Sequence, residues 1–460
     1  MTTGWMSDVE SLMWHVESDP FLDPTFGSLT LLDTRPDVDH LRRRLTRMVA
    51  RNPRFAQRVV TPAGRLTPPA WCDDPDFDIA HHLRTVTLDA PGTRRELFDL
   101  AVRVVQEPFD RTRPLWEFVV VDGLADGTSA VVQRLHHTIT DGEGGLRVAA
   151  EILDLGPGLP DLDDELVDHP RPGAAPSSLS LVGSATTAAL GRAKRASHAA
   201  IAGAATMATH PQRVPGALGD GIETARSVVE QLSGGTTALS PLWTNRTLRH
   251  RLDALDVPFA AMHDTAHALD GSVNDVFVTA LAGAIGTLHR EAGHPVETLR
   301  MAMPISTRGQ GGGTGNAFVP ARVLVPVGDT DPRRRFAAVH DVLDEGRRQR
   351  ALGLAGQMAM VANLLPTPIV TRVFRDQARA VDFAASNVRG AAVPLWLGGA
   401  RVRADYPIGP LVATALNVSL LSYDGVCHLG VHSDAGAVEN PERLVELIEA
   451  SFAELFAAAR

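Results

Sequence analysis

The stretch from Ser129 to Asp154 limits the possible folds more than any other, because it passes from strand to helix through one short joint. Ser129-Ala-Val-Val-Gln-Arg-Leu135 is strand-like, His136-His-Thr-Ile-Thr-Asp-Gly142 follows it directly, and apolar residues then recur at helical spacing from Glu143 to Asp154. The two histidines therefore sit where a strand ends and a loop begins. Successive side chains along a strand point to opposite faces, so His136 and His137 diverge instead of converging on one atom. One is expected to face a cleft and the other to pack inward. A neutral imidazole has the pKa best suited to taking a proton from an alcohol or thiol near neutral pH, which makes general base catalysis the leading chemistry.

At 460 residues the chain exceeds the usual size of a single hydrophobic core, and two lobes are expected. Its formal net charge is -10, with arginines and acids interspersed and Lys194 the only lysine, so it lacks the basic stripe of a nucleic-acid binder. Cys72 and Cys427, the only cysteines, are too few for a disulfide framework or a cysteine-based zinc site and fit a reducing cytoplasm. Asp8 and Glu10 stand where a signal peptide would be basic. The most apolar window, Val276 to Leu288, is shorter than the roughly 20 residues that span a bilayer. Any membrane association is expected to be peripheral.

Ser7 with Glu10 and Thr93 with Glu96 form capping-box patterns ahead of amphipathic helices, the second ending before Pro108. Gly27 to Leu32 reads as a strand. Glu117 to Val121 and Ser129 to Leu135 read as a hairpin turning at Gly123 and Gly127, and this hairpin delivers the histidines. From about Gly156 to Ser240 the composition shifts to Pro, Gly, Ala and Ser with a helical middle around Ser180 to Thr209, as in a crossover between lobes. Beyond Pro241 come a helix near Asn274 to Arg290, a strand at Phe318 to Val327, and a hairpin from Leu416 to Tyr423 and Cys427 to His432. Asn440 then caps a last helix with Pro441 in its first turn. The reading is α/β with an N-terminal lobe over 1–155, a crossover over 156–240 and a C-terminal lobe over 241–460.

Further motifs flank this frame. In Arg113-Pro-Leu-Trp-Glu117, packing is favoured over substrate contact for Leu115 and Trp116. Ser272-Val-Asn-Asp275 satisfies a capping box, which accounts for Asp275; Asn274 either hydrogen-bonds at the helix start or points an amide at charge developing on a tetrahedral intermediate. Gly309-Gln-Gly-Gly-Gly-Thr-Gly-Asn316 has no P-loop lysine and precedes a strand, which disfavours a nucleotide fold. Ser386-Asn-Val-Arg-Gly390 and Tyr406-Pro-Ile-Gly-Pro410 complete the series.

In this order and spacing the set resembles the wax ester synthase/diacylglycerol acyltransferase family, within the wider CoA-dependent acyltransferases. The matching elements are His-His-x-x-x-Asp-Gly at 136–142, Pro-Leu-Trp at 114–116, Asn274-Asp275, Gly315-Asn316 with Pro326 beyond, and Ser386-Asn387-Val388, followed by Arg389 where the family has proline. That replacement is expected to loosen a fixed backbone angle and add charge near the CoA or acceptor site. The resemblance runs from Arg113 to Pro410. It implies two chloramphenicol-acetyltransferase-like lobes, each a mixed sheet covered by helices, with the active site in a channel between them.

By the same resemblance His137 is the base that activates an acceptor alcohol for attack on an acyl-CoA thioester. His136, Asp141, Gly142 and Asn274 would complete the catalytic set, and Asp141 would face an arginine, for which Arg308 is the candidate. Trp116, Asp275, Asn316, Ser386 and Asn387 would support the site or touch substrate. Acyl-CoA would be a co-substrate, with no bound cofactor and no metal. The acceptor would be a hydrophobic alcohol such as diacylglycerol or a fatty alcohol, met by a cytoplasmic protein at a membrane face or lipid droplet.

Two other readings stand beside this one. A polyketide- or peptide-type condensation enzyme shares the histidine motif but usually comes with a carrier domain, and a non-catalytic lipid-binding protein fits the Arg389 departure. A histidine-aspartate metal hydrolase conflicts with the divergence of His136 and His137. His81-His82 lacks the following Asp-Gly and reads as a surface pair. His428 and His432 can share a strand face, yet no ligand set of metal spacing accompanies them, and no Gly-x-Ser-x-Gly elbow is present. Arg192, Lys194 and Arg195 in the crossover suit contact with an anionic lipid surface, although a helix packed across the lobes is favoured because its apolar residues are mostly alanine.

Overall fold

Strand pairing sorts the described residues into two six-stranded sheets and one of three strands. The computed structural model describes residues 4–62, 68–140, 142–159, 237–306, 318–349 and 367–460. Asp141, Arg308, Asn316 and most of the crossover, including Arg192, Lys194 and Arg195, lie outside the described residues. The first half supplies β1 (Gly4–Trp5), β2 (Thr25–Leu32), β3 (Gln57–Val60), β4 (Ala70–Asp73), β5 (Leu83–Thr87), β6 (Trp116–Asp122) and β7 (Ser129–His136). The second supplies β8 (His250–Pro258), β9 (Thr298–Ser306), β10 (Phe318–Pro326), β11 (Phe383–Arg389), β12 (Trp396–Leu397), β13 (Ala400–Ile408), β14 (Leu416–Tyr423) and β15 (Val426–Asp434). The helices are α1 (Asp8–Val16), α2 (Val38–Arg51), α3 (Arg94–Gln106), α4 (Gly142–Ile152), α5 (Phe259–Ala268), α6 (Val273–Glu291), α7 (Pro332–Gln349), α8 (Thr367–Arg379) and α9 (Pro441–Ala459).

Local signals acted where they were expected. The capping boxes Ser7–Glu10, Thr93–Glu96 and Ser272–Asp275 close in both directions at α1, α3 and α6, and Asn440 caps α9 ahead of Pro441. β6 and β7 pair antiparallel through a turn in which Gly123 and Gly127 take φ of 82° and 75°, values that cost an L side chain dearly. β14 and β15 form the second expected hairpin.

The sheets run β12-β13-β2-β7-β6-β5 and β10-β9-β11-β14-β15-β8. Two strands from beyond residue 241, β12 and β13, complete the first sheet, with Tyr406 opposite Leu29 and Ile408 opposite Gly27. Pairing across such sequence distance leaves no local trace. On its way β13 crosses β15 so closely that a Cβ on Gly430 would strike the Pro407 carbonyl. Side-chain alternation then divides the first lobe into two cores. Trp116, Phe118, Val120, Val131 and Leu135 pack toward Leu41, Leu45 and Met48 of α2, whereas Val119, Val121, Ala130 and Val132 pack toward Leu97, Ala101 and Val105 of α3.

The apolar window in α6 is the central core helix of the second lobe. Val276, Phe277, Leu281 and Ile285 are fully buried there and cluster with Leu444, Ile448, Phe452 and Leu455 of α9. Burying each such side chain stabilises by about 1.5–3 kcal/mol. Among the described residues no single helix is long and apolar enough to cross a membrane. The lobes meet through Arg95 to Asp253 (2.8 Å) and through the Tyr406 hydroxyl, which takes a hydrogen bond from Arg94 (2.7 Å) in its own lobe and lies 3.2 Å from Asp256 of β8.

Candidate active site

β7 ends at His136, whose backbone N–H bonds the Leu115 carbonyl at 3.0 Å while Thr25 of β2 lies opposite. A tight turn follows, closed by Ile139 N–H on the His136 carbonyl at 2.9 Å, and α4 opens at Gly142. The His136 ring is 1% exposed and engaged at both nitrogens. Its Nδ1 accepts from the Thr138 backbone N–H at 3.1 Å and lies 2.6 Å from Thr138 Oγ1, while Nε2 lies 2.7 Å from Glu17 Oε2. A backbone N–H can only donate, so Nδ1 is the acceptor and Nε2–H donates to the carboxylate. Glu17 also pairs with Arg111, whose guanidinium lies 4.2 Å over the Trp14 ring. Burial pushes the Glu17 carboxyl up, but the hydrogen bond from His136 and the charge and hydrogen bond of Arg111 hold it below its ordinary value.

His137 lies one position past the strand and is half-buried. Its ring packs on Phe26, centroids 4.4 Å apart and planes inclined at 36°, while Gly145 of α4 borders the same phenyl ring. The aromatics beside His136 are different ones, Trp14 and Phe109, both edge-on. The adjacent imidazoles thus occupy separate environments.

The second lobe contributes a cluster at the start of α6. Asp275 is fully buried, accepting from the Ser272 backbone at 2.8 Å and lying 3.0 Å from His340 Nδ1. It serves the cap. Asn274 is half-buried in the first turn, with Nδ2 3.7 Å from Met303 Sδ on β9 and Oδ1 3.5 Å from Asn387 Nδ2 at the end of β11. Ser386 is half-buried and Asn387 exposed. The fold therefore brings Asn274 and Asn387 together. Arg389 is held in the sheet: β11 pairs in parallel with β14 through Arg389 opposite Ser422, and Gly390 N–H bonds the Ser422 carbonyl at 3.0 Å.

Trp116 is 1% exposed, donates Nε1–H to the Phe55 carbonyl at 2.8 Å and stacks on His82 with ring centroids 4.3 Å apart. Its work is packing. The same stack corrects the surface reading of His81-His82: His81 is exposed, but His82 is buried between Trp116 and Phe77 with Nδ1 2.8 Å from the Trp116 carbonyl. His428 and His432 share the buried face of β15 and meet Asp256 (2.7 Å) and the Gly409 carbonyl (2.7 Å). Among the described residues no group of three or more His, Cys, Asp or Glu side chains is placed to hold a metal ion.

Glu17, Arg111 and Phe26 escaped sequence reasoning. Glu17 is 119 positions from His136 and stands in a helix end with no motif of its own. Only the opposition of Thr25 to His136 across β2 and β7 places this segment beside the motif.

Residues 5–277 match the wax ester synthase/diacylglycerol acyltransferase catalytic domain, and residues 314–456 match the WS/DGAT C-terminal domain. A Mycobacterium tuberculosis protein named "Putative diacyglycerol O-acyltransferase Rv2484c" is 33% identical over 464 residues, covering 99% of this chain and 92% of that protein. The solved wax ester synthase/diacylglycerol acyltransferase from Marinobacter aquaeolei VT8 superimposes with a TM-score of 0.65 at 21% identity, over 99% of this chain and 100% of that one. The first condensation domain of the calcium-dependent antibiotic synthetase shares the two-lobed fold, with a TM-score of 0.57 at 17% identity over 100% of this chain and 96% of that one.

Proposed function

The chain belongs to the wax ester synthase/diacylglycerol acyltransferase family, and on that premise we propose that it moves a long-chain acyl group from acyl-CoA to the hydroxyl of diacylglycerol or a fatty alcohol, with His137 as general base. The products are triacylglycerol or wax ester and free CoA. The observation that carries the role of His137 is the inequality of the two imidazoles: both nitrogens of His136 are engaged in a buried clamp, and His137 is the half-buried ring beyond the strand end.

In this reading His137 takes the hydroxyl proton as the oxygen attacks the thioester carbonyl carbon. The tetrahedral oxyanion collapses, the C–S bond breaks, and the imidazolium returns its proton to the CoA sulfur. Atoms balance with acyl-CoA as co-substrate and no further cofactor. Asn274 suits the oxyanion: its Nδ2–H rests on a thioether sulfur, a weak acceptor readily exchanged for a charged oxygen, and Asn387 orients the amide from its other end. Asp141 and Arg308 are proposed to pair and lock the loop behind His137. Contact with the lipid that holds the acceptor would be peripheral.

The test is incubation of purified protein with palmitoyl-CoA and either diacylglycerol or hexadecanol, following thiol release and lipid products together. Ester formation dependent on the alcohol is expected. Thiol release without ester would make the protein a thioesterase, and neither product would make it a binder.

A further inference from the structure

A cleft of about 560 Å³ opens between α8 and the segment that leaves α1, and its walls are basic although the chain carries a net charge of -10. Arg372, Arg375 and Arg379 follow one another at helical spacing and so share a face of α8. Opposite them stand Ser18 and Asp19. Asp19 is already engaged, accepting from the Phe21 N–H at 3.1 Å and pairing with Arg375 at 3.1 Å. Arg375 and Arg379 lie 4.6 and 5.5 Å over the Phe21 ring. Asp376 is the other acid at the cleft. Arg372 and Arg379 are exposed and have no carboxylate partner among the described residues. Paired guanidinium forks are the groups that recognise phosphate oxygens.

The position of the cleft indicates whose phosphate it takes. Glu17, which holds His136 at 2.7 Å, is followed directly by Ser18 and Asp19, and two residues of chain reach at most about 7 Å. The same segment continues through Phe21 into β2, where Thr25 faces His136. We propose that this cleft binds the phosphates of acyl-CoA: Arg372 and Arg379 hold the nucleotide end, Arg375 on Phe21 forms the floor, and the thiol arm follows residues 18–25 toward His137. This rests on reading the chain as an acyl-CoA-dependent transferase.

The test uses the full chain, the double variant Arg372→Gln/Arg379→Gln, palmitoyl-CoA, and calorimetric titration with CoA and 3′-dephospho-CoA. The variant is expected to raise KM for palmitoyl-CoA about tenfold or more, with the loss falling on KM and not on kcat. CoA binding should weaken in parallel, and the wild-type preference for CoA over dephospho-CoA should disappear. Circular dichroism verifies that the variant is folded. Unchanged KM and CoA affinity in a variant whose wild type is active would overturn the site and leave the acyltransferase reading intact. A wild type that neither binds CoA nor consumes palmitoyl-CoA would overturn the reading beneath it. Loss of sedimentation with phosphatidylglycerol vesicles, with CoA binding unchanged, would assign the arginines to a lipid headgroup and overturn the proposal.

Discussion

At the end of β7, His136 is clamped by Glu17 from 119 positions away, whereas at the start of α6 Asn274 is set by a capping box between Ser272 and Asp275, residues within one helical turn. The two halves of the site are therefore protected against different failures. The cap survives as long as its own helix does. The clamp requires that α1, the segment after it and the first sheet all be in register, so it reports on the whole lobe. In the proposed mechanism a base that must be aimed to within a fraction of an ångström benefits from such dependence, because mispacking anywhere in the lobe is felt at the motif.

The largest effect that sharpens this comparison is expected from His137→Ala, which should lower turnover by at least ~10² with the fold retained. Near-normal turnover in folded variant protein would remove His137 from the mechanism. Asn274→Ala comes next, with a turnover loss of ~10² if its amide meets the oxyanion. A change confined to thermal stability would return Asn274 to a purely helical role.

Glu17→Gln removes the charge from the long-range clamp while keeping its shape and an acceptor oxygen. Losing a charge-assisted hydrogen bond should cost about 1–3 kcal/mol near pH 7, measured by denaturant unfolding. Because the folded Glu17 carboxyl is held below its ordinary value, its contribution is present above that value and fades as pH falls through the folded one. The gap between wild type and Glu17→Gln should therefore close in acid. A gap that stayed constant from neutral pH into that range would show that the charge on Glu17 contributes nothing. The smallest effect belongs to the local device: Ser272→Ala should cost about 1 kcal/mol, with little change in turnover beyond the lost stability. A loss of several kcal/mol there would mean that the cap is wired into the lobe as deeply as the clamp.

A separate acid sensitivity lies between β8 and β15, where His432 Nε2 lies 3.1 Å from His250 Nδ1. Burial holds both imidazoles below their ordinary value, His432 at about 4. The unfolded chain therefore binds protons there before the folded one, and stability should decline as pH falls from about 6.5 toward 4. His432→Gln should flatten that decline in chemical denaturation measured across the range.

Caps, hairpin turns and alternating strands were legible in the amino-acid order because each depends on partners a few residues apart. Ser7 with Glu10, Thr93 with Glu96, and the glycines at 123 and 127 are of this kind. The divergence of His136 and His137 was legible too, since the two-residue period of a strand decides it. Long-range partners were not. Nothing near Ala400 says that β13 will lie beside β2, nothing near Glu17 says that it will meet a histidine, and the exposed look of His81-His82 hides a ring stacked on Trp116. A hydrogen bond within one turn is a property of the local backbone. A hydrogen bond across 119 positions exists only after the first sheet has chosen its strand order, and that choice is made by the burial of both faces at once.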